Sequence, residues 1–177
     1  MDNKPGFDNL NRPNWDLYFM TLAFVVAQRS IDPSTKHGAI LVSKNNKILS
    51  TGYNGPIRGV DDSKIPLTRP EKYWTMTHSE DGCLASYTGS ASDLEGARIY
   101  VTGRPCHRCL RTILQKGIKH IIYGRVPSMC IDEEDIKAQT LILDLVKDVK
   151  IEEYEDSGFI MDILEETRDY IMSKCFY

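Results

Sequence analysis

Apolar residues recur at helical spacing from Trp15 to Ser30, through Leu17, Met20, Phe24, Val25 and Ala27, and Asn14 stands where a helix cap is wanted. A turn-rich polar stretch, IDPSTK, follows. HGAILVS and KILSTGYN then read as two paired strands joined by a hairpin at Lys44-Asn45-Asn46. Asn54 to Thr77, punctuated by Gly55, Pro56, Gly59, Pro66 and Pro70, reads as one long loop, a kind that is functional or disordered in compact domains. Beyond it the pattern predicts a helix from His78 to about Tyr87, a strand at ARIYVT, and a helix at PCHRCLRTILQKG that opens on Pro and closes on Gly. A strand at HIIYG, a helix from Asp132 to Lys147, a strand from Val149 to Glu153 and an amphipathic helix over about 158–174 complete the chain. Residues 1–13 read as a loose arm.

The alternation after the hairpin predicts an α/β fold, with a central mixed sheet of about five strands and helices on both faces. Sheets of this kind take ligands at the carboxyl ends of their strands. No repeat or linker divides the 177 residues, so one domain is expected over 1–177. No stretch approaches the roughly 20 apolar residues of a membrane span. The polar start, MDNKPGFDNLNRP, lacks a signal-peptide core, so a cytoplasmic setting is expected. The net charge of −3 argues against binding a nucleic-acid polymer, while leaving room for a phosphate pocket. The five cysteines, Cys83, Cys106, Cys109, Cys130 and Cys175, are an odd set for a disulfide framework, and the close pair reads better as metal ligands.

Two fragments carry chemistry: His78-Ser79-Glu80 and Pro105-Cys106-His107-Arg108-Cys109. Zinc takes imidazole nitrogen and thiolate sulfur in tetrahedral geometry, and two cysteines three apart at a helix start can face one ion. A helix N-terminus favours both thiolates. Cys106, Cys109 and His78 make three ligands and leave a fourth position for water, the catalytic rather than the closed structural pattern. Two thiolates offset the charge of Zn2+, so the water needs a base, and Glu80 stands two residues after His78 to serve. The plainer readings are buried small residues for the cysteines and a helix cap for His78. The order of the two fragments and the Pro before Cys106 favour the catalytic one, which is the signature of zinc nucleobase deaminases.

On these residues the chain resembles the deoxycytidylate (dCMP) deaminases, close to the phage enzymes, over about residues 14–153. The likeness rests on YFMTLAFVVAQRSIDPSTKHGAILV, GYNGPIRGVDD, HSE, PCHRC and GIKHIIYG. It implies a three-layer α/β/α cytidine-deaminase-like fold and hydrolysis of dCMP to dUMP and ammonia, feeding dTMP synthesis. Attack at C4 of cytosine would be assisted by Glu80, which carries the proton to N3 and later to the departing ammonia. Asn54 is implied to meet the deoxyribose, Arg29, Ser34 and Thr35 the 5′-phosphate, and Tyr123 the base. A homohexamer, activated by dCTP and inhibited by dTTP with Mg2+, is implied as well. The Gly52–Gly59 stretch, with Tyr53, Gly55, Asp61 and Asp62, resembles the effector loop. Against these stand a solvated helix-end cation at Arg29, core packing at Tyr123, and simple turns at Asn54 and the glycines.

The family usually reads H-A-E-x-N, whereas this chain has Ser79 and Gly82. Gly82 removes an amide expected beside the active site, which bears on substrate choice or effector response. A 5-substituted dCMP is therefore the nearest alternative substrate. A non-catalytic, zinc-stabilised nucleotide-binding protein is the alternative from another class, and the presence of Glu80 counts against it.

Overall fold

The computed structural model describes residues 7–10, 12–155 and 158–175. Helix α1 (Trp15–Ala27) begins at Asn14, whose side chain accepts from the Leu17 amide. Strands β1 (Gly38–Val42) and β2 (Ile48–Tyr53) form the expected hairpin, with Asn46 in the left-handed conformation that its turn requires. The excursion that follows is not one loop. Strand β3 (Gly55–Pro56) leaves, the chain passes through a 3-10 turn (Asp62–Lys64) and a one-turn helix α2 (Lys72–Thr75), and strand β4 (Met76–Thr77) returns to pair with β3. Helix α3 (Ser79–Ser86), a second 3-10 turn (Ala91–Leu94), strand β5 (Arg98–Val101), helix α4 (His107–Gln115) and strand β6 (His120–Tyr123) come next. Helix α5 (Glu133–Leu145), strand β7 (Lys150–Glu153) and helix α6 (Phe159–Cys175) close the order.

The main sheet runs β2-β1-β5-β6-β7. β1 is antiparallel to both its neighbours, and β5, β6 and β7 are parallel. Strand alternation divides the core in two. Ala39, Leu41, Ile99, Val101 and Ile121 face one side and bury Cys83 and Leu84 of α3 and Leu110 and Ile113 of α4. Ile40, Val42, Tyr100 and Ile122 face the other and bury Leu17, Phe19, Met20 and Ala23 of α1, together with Ile160 of α6. This is the three-layer α/β/α arrangement. β1 is buried along its whole length because both of its faces are covered, which is why GAILV is continuously apolar.

The described part of the N-terminal arm packs on the domain rather than standing loose. Residues 1–6 lie outside the described residues, but Phe7 bridges Pro13 and packs edge-on against Phe159 at 5.6 Å between ring centres. No helix among the described residues is long and apolar enough to cross a membrane.

Candidate active site

Two helix starts converge at the carboxyl end of β5. His78 is the N-cap of α3 and Cys106 the N-cap of α4, both extended in backbone, and Cys109 lies in the first turn of α4. The ligand atoms of His78, Cys106 and Cys109 all lie within 4.8 Å of one another, and among the described residues this is the group of donors that could hold a metal. His78 Nδ1 stands 3.3 Å from Cys109 Sγ and 3.6 Å from Cys106 Sγ. The other ring nitrogen, Nε2, is 3.8 Å from Cys130 Sγ. One nitrogen and two sulfurs in this compass suit Zn2+.

The electrostatics say what the donor set wants. The His78 imidazole is pushed up to about 11 by its hydrogen bonds to Cys106 and then Cys130, against the cost of burial. The Cys106 thiol is drawn down to about 4, first by the hydrogen bond from Cys109 and then, against burial, by His78. Cys109 is raised by its hydrogen bond to Cys106 and by burial. These shifts come chiefly from the three groups sharing protons at close range, and a divalent cation bound there would take the place of those protons.

Glu80 is 5% exposed and lines the same cavity as His78 and Cys106. Burial raises its pKa, and the helix backbone, the His78 charge and Ser79 pull the other way without reversing it. Ser79, fully buried, donates from Oγ to Glu80 Oε2 at 2.8 Å. The serine that departs from the family pattern thus holds the carboxylate.

The cavity measures about 390 Å3, room for a nucleotide-sized ligand. Thr35 and Asn54 line it. Asn54 accepts from the His37 amide at 2.7 Å and donates to the Thr35 carbonyl at 2.9 Å, so much of its capacity holds the 32–37 turn. Arg29 is exposed and does not line the cavity, nor do Ser34 and Tyr123. Of the residues expected to form an effector loop, Gly52 and Tyr53 end β2 and Gly55 opens β3, while Gly59 and Asp61 sit on the exposed tip. Asp61 caps the 3-10 turn through the Ser63 amide, and the side chain of Asp62 lies outside the described residues. Among the described ones, none lines the cavity. Gly82 is also off the lining: a Cβ there would point at the Tyr53 carbonyl, 3.4 Å away, rather than at a ligand.

Several lining residues escaped the sequence reading. Lys72, 4% exposed, bridges both oxygens of Asp32 at 3.0 Å. Arg104, His107, Asp135 and Cys130 also face the cavity. The HRC spacing marked His107 as a neighbour of the ligands. Nothing local marked Lys72 or Asp135, whose partners lie 40 and 28 residues away.

Residues 13–125 match the sequence model of the cytidine and deoxycytidylate deaminase zinc-binding region. The chain belongs to the cytidine and deoxycytidylate deaminase family. Within that family it is 36% identical over 137 residues to the deoxycytidylate deaminase of Mus musculus, covering 74% of this chain and 75% of the relative. It is 33% identical over 133 residues to the deoxycytidylate deaminase of Mycobacterium phage D29, covering 66% of this chain and 98% of the phage protein. The dCMP deaminase of cyanophage S-TIM5, solved in complex with dCMP and dUMP, superposes with a TM-score of 0.60 at 25% identity, over 81% of this chain and 98% of that one.

Proposed function

We propose that this chain hydrolyses dCMP to dUMP and ammonia, with His78, Cys106 and Cys109 holding Zn2+ and Glu80 as the proton carrier. The observation that carries the reading is a buried carboxylate in the same cavity as a nitrogen-and-two-sulfur cluster. The relatives named above, which align with 74% and 66% of the chain, support the choice of substrate. Zinc bound there supplies Lewis acidity toward a water molecule. Glu80, whose burial keeps its proton affinity high, takes the proton from the attacking water. It passes that proton to N3 of the base, and a second transfer releases ammonia from C4. Ser79 holds the carboxylate in place through its hydroxyl. Thr35 and Asn54 line the cavity, and Asn54 is the proposed contact for the deoxyribose.

The finer part of the reading is activation by dCTP, inhibition by dTTP with Mg2+, a homohexamer and residence in the cytoplasm, the host's if a phage encodes the chain. The glycine-rich stretch at the start of the 54–77 excursion supports the effector part alone, and a screen of dCMP turnover with each triphosphate tests that part.

The central test is Glu80→Gln. The variant keeps one zinc per chain by elemental analysis, and dCMP turnover, followed by ultraviolet absorbance and ammonia release, falls by about 10²–10⁴-fold. Turnover left intact by that change would overturn the role of Glu80. Zinc-loaded wild-type protein that released no ammonia from dCMP would overturn the substrate.

A further inference from the structure

A nucleoside monophosphate brings an anion into the cavity, and the basic side chains in the wall differ in whether their charge is already compensated. Lys72 is buried but paired with Asp32. Arg69 and Arg108 are exposed at the rim. Arg104 is half-buried, lines the cavity and makes no ion pair among the described residues. Its Nε donates to Gln139 Oε1 at 2.9 Å, and its guanidinium lies over the Tyr123 ring at 5.6 Å from the centre.

That arginine is held from behind by a buried brace on α5. Gln139, 1% exposed, donates to the Pro105 carbonyl at 3.1 Å and to Asp135. Asp135, 4% exposed, accepts from the His107 amide at 2.8 Å and contacts the His107 ring nitrogen Nδ1 at 2.6 Å. Burial works against the Asp135 carboxylate, but the His107 amide, Gln139 and the His107 ring outweigh it and hold its pKa below the ordinary value. The brace thus grips the chain on both sides of Cys106. An arginine fixed through Nε and one face of its plane keeps its two terminal nitrogens as a fork, the geometry that meets a phosphate with two parallel hydrogen bonds. A partly buried cation without a counter-charge is unfavourable until an anion arrives.

We propose that Arg104 is the contact for the 5′-phosphate of the substrate, and that Gln139, backed by Asp135, is its positioning residue. The assignment rests on the nucleotide reading above. It moves the anion from Arg29, which is exposed and off the cavity, to the wall two residues before the first thiol.

The test compares zinc-loaded wild type with Arg104→Gln, Arg104→Lys, Gln139→Leu and Arg29→Gln, on dCMP and deoxycytidine as substrates and on dUMP and deoxyuridine by titration calorimetry. Arg104→Gln is expected to cut the preference in kcat/KM for dCMP over deoxycytidine by about 10- to 100-fold, mostly through KM, and to weaken dUMP far more than deoxyuridine. Arg104→Lys, which keeps charge without the fork, recovers part of that preference. Gln139→Leu loses a smaller share of it, in KM and not in kcat. Equal losses for dCMP and deoxycytidine in Arg104→Gln would overturn the proposal, as would a preference lost in Arg29→Gln and kept in Arg104→Gln. If wild type binds dUMP but deaminates neither substrate, the function reading falls, and the dUMP and deoxyuridine affinities still decide Arg104. Wild type that binds no nucleotide overturns both.

Discussion

Asp32 gathers more of the cavity wall than any ligand residue does. One oxygen accepts from the Ser34 amide at 2.8 Å and the Thr35 amide at 3.4 Å, and both meet the Lys72 ammonium. Burial opposes the charge on this carboxylate, but the Ser34 amide, Lys72 and the Thr35 amide outweigh it, and its pKa lies below the ordinary 3.8. Removing one partner of a buried pair leaves the other charge stranded, so Asp32→Asn and Lys72→Met should each cost about 3–5 kcal/mol, and the double variant less than their sum. A depressed carboxylate pKa contributes stability that is present above the unfolded value and lost as pH falls through the folded one. The gap in urea stability between wild type and Asp32→Asn should therefore be full at pH 6 to 7 and shrink only below about pH 3.8. A gap that stayed constant into that range would separate the pair from the stability of the fold. The pair also shows where single-residue reading stops. His78, Glu80, Cys106 and Cys109 were legible because helix starts place their chemistry at short, regular spacing. Asp32 and Lys72 are ordinary polar residues until the excursion folds back and joins them.

At the level of elements, two glycines 30 residues apart frame the contact between β2 and α3. A Cβ on Gly52 would fall 2.2 Å from the Cys83 nitrogen and 2.3 Å from the Ser79 carbonyl oxygen, so the strand and helix touch backbone to backbone. Gly52→Ala must push α3 away, at a cost of about 1–3 kcal/mol or more. Because α3 starts at His78 and carries Glu80, the same variant should bind zinc more weakly in a chelator competition. Gly82, facing Tyr53 from inside the helix, has room for a methyl group at ordinary contact distance. Gly82→Ala should stabilise the protein by about 0.5–1 kcal/mol in urea unfolding. Opposite signs at the two positions would establish which glycine the packing requires, and a loss at both would refute that division. Long elements were legible here because their periodicity runs over several turns or alternations. β3, β4 and α2 were not, since pieces of two to four residues leave no period to read, and the prolines around them spoke for a loop.

For the molecule as a whole, the donor cluster ties α3 to α4 across 28 residues of chain, from His78 to Cys106. An ion bound only by the folded state adds its binding free energy to stability, about 4 kcal/mol when free zinc stands a thousandfold above its Kd. Stripping the metal with a chelator should lower the urea midpoint accordingly, and added zinc should restore it. Cys106→Ser should lose most of that response, and a wild-type midpoint indifferent to zinc would detach the cluster from the stability of the fold. The mixed sheet and its two covered faces could be anticipated from alternating strands and helices. The order β2-β1-β5-β6-β7 could not, because the pairing of β1 with β5 joins residues about 60 apart through a ladder that no local pattern announces.

The excursion between β3 and β4 has an exposed tip at Gly59, and everything that holds its two sides together lies elsewhere. A protease that nicked the tip would release nothing. The first fragment would keep α1, β1 and β2, and the second would stay attached through the β1–β5 ladder and the Asp32–Lys72 pair. Expressed as separate polypeptides cut at that point, the halves should reassemble on mixing. All three prospective zinc ligands and Glu80 would arrive on one half, with Thr35 and Asn54 on the other, so deamination would report directly on their reunion.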